Sequence, residues 1–226
     1  MRIGVIGNAA LDCTGRLAEA AGLAALIKEA GADTAYAGLI DDGSTGARIR
    51  DLLEESGVDA SRLAVSQSPA IALGDYIDVA ELFAMDAVVI VVSDFRLHRF
   101  LVDLPVHTTP NARLIGLLSH LIVQPLADAL EVTLLHDLVV ATDAEIALLT
   151  KIEDRTRAID DFQQRMVGAN LRSAAIFRAN DDSVIVTKSE RWKGPVDSFY
   201  QLAARAAVTF VRRDPWTDVF TADGNA

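Results

Sequence analysis

A glycine-proline turn followed by an aspartate has the clearest capacity for chemistry in this sequence. Gly194, Pro195 and Val196 precede Asp197, and an apolar-periodic stretch that predicts a helix begins at Ser198. Backbone amides at a helix N-terminus bind anions, and a carboxylate beside them can take a proton from an attacking hydroxyl. Pro195, however, has no amide hydrogen to donate. The turn predicts either a phosphoryl-transfer site that has lost one donor or an acid-base site with another use.

Asp197 also has a structural interpretation. An aspartate directly before a helix commonly caps it, because its carboxylate accepts hydrogen bonds from free amides, and the cap contributes about 1 kcal/mol. A partly buried carboxyl can instead have its pKa raised toward neutrality, which suits it to give or take a proton. The local sequence leaves both roles open.

Further polar side chains follow the two predicted strands near the N-terminus. Asn8 and Asp12 follow the first strand, and Asp41 and Asp42 follow the second. Asp12 could close a turn, and we expect Asp41 to cap the helix that follows.

Predicted strands alternate with predicted helices along most of the chain. Short β-branched or continuous apolar runs indicate the strands, and Gly31 and Gly57 end two helices. The predicted strands are Arg2–Gly7, Thr34–Leu39, Ala87–Ser93, Leu114–Leu118, Asp137–Ala141, Ala174–Phe177 and Ser183–Lys188. The predicted helices are Leu17–Ala30, Asp42–Gly57, Val123–Leu134, Asp143–Thr150 and Ser198–Arg212. This alternation predicts an α/β fold, a three-layer α/β/α sandwich with a mostly parallel sheet.

The composition fits a globular protein and argues against several partners. The chain of 226 residues fits one domain, residues 1–226, with a flexible tail from about Pro215, and 51% hydrophobic residues suffice for a core. The net charge is −11 and no basic cluster opposes it, so we expect no nucleic-acid or membrane partner. The N-terminal apolar run is too short for a signal peptide, which predicts a cytoplasmic protein.

Cysteine and histidine usage argues against a metal site. Cys13 is the single cysteine, so neither an intramolecular disulfide nor a cysteine-rich zinc site can form, and we expect this side chain to be buried. The four histidines are scattered, and none pair at i, i+4. His98 and Arg96 follow a predicted strand, where a ligand contact and a solvated basic loop are alternatives.

Four segments, taken in order, resemble the ribokinase, or PfkB, family of carbohydrate kinases. They are GVIGNAALD from Gly4, AGADTAYAGLIDDGSTGARIRDLLEESGVD from Ala30, VVATDAEIALLT from Val139 and GPVDSF from Gly194. They stand in the places of the family's first strand and aspartate, its GxDDxxG turn, its NxxE motif and its GAGDxF signature. The resemblance implies a ribokinase-like fold.

The resemblance also implies roles for the candidate residues. Asp12 would bind substrate hydroxyls, with Asn8 and Asp42 on the same substrate side. Asp197 would deprotonate the attacking hydroxyl. Amides of the turn at Gly194 would hold phosphate charge. Thr142 and Glu145, in the place of NxxE, would lie on the nucleotide side, where Glu145 would organise magnesium. Alternatively, Glu145 is a favourable charge at a helix N-terminus.

The chain departs from the family pattern mainly on the nucleotide side. Thr142 replaces the asparagine of NxxE, Ile40 replaces a glycine, and no T-x-G follows the late strand. Pro195 removes one amide donor, a loss that typically costs ~10²–10³ in rate. The chain is also shorter than the family's. The missing length falls largely between Asp12 and Leu17, which predicts a reduced or absent substrate lid.

These departures favour a repurposed ribokinase-fold enzyme as the leading hypothesis. Asp197 would act as general acid or base on a small hydroxylated metabolite, in a dehydration, addition or cyclisation that needs no cofactor. The first alternative is a divergent carbohydrate kinase that uses ATP and magnesium. The second is a non-catalytic ligand-binding or scaffold protein. A shortened lid would leave apolar surface and a sheet edge open, which predicts a homodimer.

Overall fold

The computed structural model describes residues 1–66, 81–92, 112–118, 133–168, 174–195 and 198–221. The strands are β1 Arg2–Ile6, β2 Ala9–Leu11, β3 Leu17–Ala18, β4 Asp33–Ile40, β5 Asp59–Val65, β6 Ala87–Val92, β7 Arg113–Leu118, β8 Leu138–Thr142, β9 Ala174–Arg178, β10 Ser183–Val186 and β11 Arg191–Gly194. The helices are α1 Glu19–Glu29, α2 Ser44–Glu55, α3 Asp143–Thr150, α4 Arg155–Gly168 and α5 Phe199–Arg212. Strands therefore alternate with helices over much of the described chain.

Nine of the described strands form one sheet in the order β11-β10-β9-β8-β7-β6-β1-β4-β5. Strand β10 runs antiparallel to β9 and β11, and the other six pairings are parallel. The mostly parallel sheet predicted from the sequence is confirmed. Because the parallel strands share one direction, their last residues meet at one edge, the carboxyl edge, and their first residues meet at the opposite, amino edge.

Helices cover both faces of the sheet and give the three layers predicted. One face buries apolar residues of α1, α2 and α5, and the other buries those of α3 and α4. Small side chains on α5, including Ala203, Ala206 and Ala207, are buried where this helix packs on α1. Short side chains let two helix backbones approach closely, so α5 is held firmly against the sheet and α1.

Strands β2 and β3 form a separate two-stranded ribbon beside α1. Leu11 pairs with Leu17 and Ala10 pairs with Ala18. The helix predicted to begin at Leu17 therefore begins two residues later, at Glu19, because Leu17 and Ala18 are used in the ribbon. Strands of three and two residues agree with the prediction of a reduced lid.

Several elements differ from the predictions. Strands β2, β5 and β11 and helix α4 were not predicted from the sequence. The helix predicted at Val123–Leu134 lies largely outside the described residues, as do Arg96 and His98. The expected flexible tail is packed at its start, because Trp216–Phe220 form a 3-10 helix in which Val219 is fully buried. Among the described residues, no helix has the length and apolar character needed to span a membrane.

Candidate active site at the carboxyl edge of the sheet

The ladder registers bring two of the predicted site positions to the same edge. Thr142, the last residue of β8, is aligned with Arg178 of β9. Arg178 is aligned with Ser183 of β10, and Ser183 is aligned with Gly194 of β11. Three strand spacings separate Thr142 from Gly194, a distance of about 14 Å. Such a span suits an extended ligand lying across the ends of the strands.

Gly194, the last residue of β11, lies five positions before the start of α5 in the chain. Pro195 is exposed, and Val196 and Asp197 lie outside the described residues. Ser198 is the N-cap of α5, and its Oγ accepts a hydrogen bond from the amide of Gln201 at 3.3 Å. The N-cap position of α5 thus belongs to Ser198, one residue later than the sequence predicted. A catalytic role for Asp197 stays a prediction.

Gly194 has a packing reason to be glycine. A Cβ atom placed on it would lie 2.2 Å from Cγ of Phe220 and 2.3 Å from Cδ1 of the same ring. The C-terminal 3-10 helix thus presses an aromatic ring directly on the strand residue that opens the turn. Close approach of a phosphate is therefore not needed to explain this glycine, and anion binding by Gly194 stays a prediction.

Thr142 and Glu145 form a capping box at the start of α3. The amide of Thr142 donates to Oε2 of Glu145 at 3.0 Å, and the Thr142 hydroxyl donates to the same oxygen. Glu145 is buried, with 5% of its surface exposed. This geometry supports the alternative in which Glu145 stabilises a helix N-terminus. Within the described part of the chain, no group of three histidine, cysteine or carboxylate side chains could hold a metal ion.

Asp12 lies in the turn between β2 and β3 and closes that turn. Its Oδ1 accepts hydrogen bonds from the amide of Thr14 at 2.8 Å, the Thr14 hydroxyl at 2.7 Å and the amide of Arg16 at 3.0 Å. The amide of Arg16, followed by the Thr14 hydroxyl, lowers the pKa of Asp12 below its ordinary value. Substrate binding by Asp12 stays a prediction. Cys13, expected to be buried, is exposed because it sits at the tip of this ribbon.

A tyrosine that was not predicted as a site residue holds the carboxyl end of β1 to the middle of β4. The phenol of Tyr36 donates to the carbonyl oxygen of Gly7 at 2.7 Å, and burial raises the pKa of this fully buried side chain. A Cβ atom on Gly38 would lie 2.3 Å from the Tyr36 oxygen. Asn8, the next residue after this contact, is half-buried at the edge. Tyr36 therefore fixes the backbone from which Asn8 projects.

Asp41 holds the start of α2, as the sequence analysis expected. Its Oδ1 accepts from the amide of Gly43 at 2.7 Å and from that of Gly46 at 3.4 Å. A Cβ atom on Gly46 would lie 2.0 Å from the backbone oxygen of Asp41, so the turn needs glycine there. Asp42, beside it, is exposed at the carboxyl edge, and its substrate contact stays a prediction.

A network of four charged side chains lies at the same edge near the turn. Asp182 forms ion pairs with Arg155 at 2.6 Å and with Lys193 at 2.5 Å. Arg155 also forms an ion pair with Asp143 at 2.9 Å. Only 15% of the Asp182 side chain is exposed. Arg155, and then Lys193, lower the pKa of Asp182. This network joins the starts of α3 and α4 to the β9–β10 hairpin and to β11, and it was not predicted.

Comparison with solved structures identifies the fold. The chain is similar to an adenosine kinase from Sinorhizobium meliloti, with a TM-score of 0.76 and 14% identity over 97% of this chain and 90% of that one. It is equally similar to a PfkB family carbohydrate kinase from Listeria grayi, with a TM-score of 0.76 and 10% identity over the same shares. A fructokinase with bound ATP from Xylella fastidiosa matches with a TM-score of 0.72 and 12% identity, over 94% of this chain and 82% of that one.

These similarities define the class of fold. The chain has the ribokinase-like fold of the PfkB carbohydrate kinases, and the resemblance found in the sequence is confirmed at this level. No family model matches the sequence, and no curated protein matches it. At identities of 10–14%, similar structures establish a common fold but not a common reaction.

Proposed function

We propose that this protein is a divergent ATP-dependent kinase that phosphorylates a hydroxyl group of a small carbohydrate-like metabolite. The observation that carries the proposal is that 94–97% of the chain matches sugar and nucleoside kinases across the whole fold, including a fructokinase with bound ATP. Gly194 and the capped start of α5 lie where open α/β sheets bind ligands. The carbohydrate kinase was the first alternative in the sequence analysis, and the similar structures favour it over the leading hypothesis.

The proposed site has a substrate side and a nucleotide side. Asn8, Asp12 and Asp42 contact the hydroxyls of the metabolite. Asp12 is held in a fixed turn, so its free oxygen can meet a hydroxyl without reorganisation. Asp197 takes the proton as the substrate oxygen bonds to the γ-phosphorus and the bond to the ADP oxygen breaks.

On the nucleotide side, the amides at Gly194 and at the start of α5 hold the phosphate charge. Thr142 and Glu145 shape the opposite end of this side through their capping box. ATP supplies the phosphoryl group, with magnesium as the usual counter-ion. The described residues provide no three-ligand metal group, and Oε2 of Glu145 is committed to the cap. No step is therefore assigned to a magnesium ion held by the protein.

The non-ATP acid-base enzyme is not supported by the similar structures, which are named as kinases. Two observations favour it: Pro195 lacks an amide donor for phosphate, and Oε2 of Glu145 is used in the helix cap. A protein that does not bind nucleotide would therefore return it to first place.

The homodimer stays a prediction, and a sedimentation mass equal to the 24.2 kDa chain would contradict it.

Thermal unfolding with Mg-ATP tests the proposal. A ligand present at ten times its Kd stabilises the native state by about 1.4 kcal/mol, which raises the Tm of a chain of this size by about 3–6 °C. We expect such a shift with millimolar Mg-ATP and a smaller one with adenosine. An Asp197→Asn variant should show the same shift, because the proposal assigns this carboxylate to proton transfer. No shift with Mg-ATP would overturn the proposal.

A further inference from the structure

A groove of about 660 Å³ opens at the amino edge of the sheet, opposite the candidate active site. Its floor includes Arg113, the first residue of β7, Asp137, which directly precedes β8, and Ala174, the first residue of β9. The end of α5 forms one side, through Phe210 and Arg213. The volume lies in the range of small-molecule sites, about 300–1,000 Å³.

An aromatic wall lines this groove. The rings of Phe210 and Trp216 stack, with centroids 6.0 Å apart and an interplanar angle of 23°. The guanidinium of Arg113 lies over the Phe210 ring, 5.0 Å from its centroid. Trp216 is half-buried, so part of its indole faces the groove. Flat, polarisable faces of this kind bind planar rings by offset stacking.

Three cations, Arg113, Lys188 and Arg213, line the groove. Arg113 donates to the carbonyl oxygen of Phe210 at 2.5 Å and so satisfies the end of α5. Lys188 and Arg213 also line the groove, and within the described residues neither forms an ion pair with a carboxylate. They provide an anion-binding position next to the stacking surface.

Carboxylates give the groove acceptors as well. Asp137 uses Oδ2 to accept the amide of Leu114 at 2.8 Å, which fixes the side chain at the groove floor. Its second oxygen can accept a hydrogen bond from a ligand. Asp214 lies on the same lining and is exposed. A ligand that offers both hydroxyl or N–H donors and an anionic group would therefore satisfy both kinds of side chain.

We infer that this groove is a second ligand site, for a small anion that carries a flat heterocyclic ring, with the chemistry of a nucleoside monophosphate. The ring stacks on Trp216, the phosphate meets Lys188 and Arg213, and Asp137 accepts from a hydroxyl or a ring N–H. The site is separate from the candidate active site. Helix α5 has 14 residues and runs from one site to the other, so about 21 Å separate them.

Tryptophan fluorescence tests the site without any turnover. AMP is titrated into the full chain, with adenosine and inorganic phosphate titrated separately. We expect AMP to quench Trp216 in a saturable way, and we expect adenosine and phosphate each to bind at least tenfold more weakly. The other tryptophan, Trp192, does not line the groove. A Trp216→Phe variant should therefore keep the fluorescence of Trp192, and AMP should no longer quench it.

Charge variants assign the phosphate position. Lys188→Ala combined with Arg213→Ala should weaken AMP binding tenfold or more. The matched control removes two exposed cations from other helices, Arg48→Ala with Arg157→Ala, and should leave the affinity unchanged. Circular dichroism verifies that each variant is folded.

Three results would overturn the inference: no saturable quenching by AMP, quenching that persists in Trp216→Phe, or affinity that survives loss of both groove cations. The last two would place the nucleotide elsewhere on the protein. Because the titrations contain no ATP and need no catalysis, they can succeed even if the proposed kinase activity fails. Conversely, an active kinase without AMP quenching would overturn this inference alone.

Discussion

Replacing Gly194 with alanine tests why glycine opens the turn before α5. The φ angle of Gly194 lies outside the left-handed region, so alanine is acceptable to the backbone. The added Cβ would instead lie 2.2–2.6 Å from three carbons of the Phe220 ring. Either the ring or β11 must shift. Overpacking of this kind typically costs 1–3 kcal/mol, so we expect Gly194→Ala to lower the free energy of unfolding by about 2 kcal/mol.

Urea denaturation and a double-mutant cycle measure this contact. With a slope of about 2 kcal/mol per M, Gly194→Ala should lower the denaturation midpoint by about 1 M. Phe220→Ala alone removes a half-buried ring and should cost about 1 kcal/mol. In the double variant the clash is gone, so the combined cost should fall short of the sum by about 1 kcal/mol or more.

A matched control separates the clash from a general effect of the substitution. Gly168 ends α4, and a Cβ atom there would meet nothing within 4 Å. Gly168→Ala should therefore be neutral or slightly stabilising, because alanine favours helix. The reasoning would be refuted if Gly194→Ala were as harmless as Gly168→Ala, or if the effects of Gly194→Ala and Phe220→Ala simply added.

Three further substitutions probe the carboxyl edge. Gly46→Ala should cost about 1–3 kcal/mol in urea denaturation, because its Cβ would lie 2.0 Å from the Asp41 backbone oxygen; an unchanged midpoint would contradict that contact. Asp182→Asn should destabilise the protein at neutral pH. Arg155 is the chief cause that holds the pKa of folded Asp182 below its ordinary value of 3.8. The ionised carboxylate therefore adds to the free energy of unfolding above pH 3.8, and this contribution is lost as the pH falls through the folded pKa. Urea denaturation from pH 7 to 3 measures the difference in the free energy of unfolding between wild type and Asp182→Asn. This difference should become smaller below about pH 4. A difference that is constant with pH would count against the network. Pro195→Ala restores an amide and should raise the rate of phosphoryl transfer by up to ~10², whereas an unchanged rate in a steady-state assay would show that this amide does not face the phosphate.

The elements that the sequence predicted are those whose pattern is local. Strand β6 is a continuous apolar run and was placed within one residue of its observed range, Ala87–Val92. Helix α4 was missed although its buried residues Ala158, Phe162 and Met166 recur at four-residue spacing, because charged and amide residues dominate the segment. Strand β5 was missed because it lies at the sheet edge and alternates with polar residues.

The contacts of the candidate site were less predictable, because they join residues far apart in the chain. Asp182 meets Arg155 and Lys193 only after the antiparallel register of the last strands is fixed. The contact of Phe220 with Gly194 depends on where the C-terminal segment folds back. The capping box of α3, in contrast, follows from the local spacing of a threonine and a glutamate three residues later, and it could have been predicted.

Transfer of the γ-phosphoryl group is the most direct test of the proposed kinase. ATP labelled at the γ-phosphate is incubated with magnesium, the protein and a panel of sugars and nucleosides, and label is followed into the acceptor. The account predicts transfer to at least one hydroxylated acceptor by the wild-type chain. It also predicts no transfer by Asp197→Asn, although that variant remains folded and still shows the Mg-ATP thermal shift. Undiminished transfer by Asp197→Asn would contradict the role of this carboxylate, and a wild-type chain that neither binds Mg-ATP nor transfers label would contradict the kinase itself.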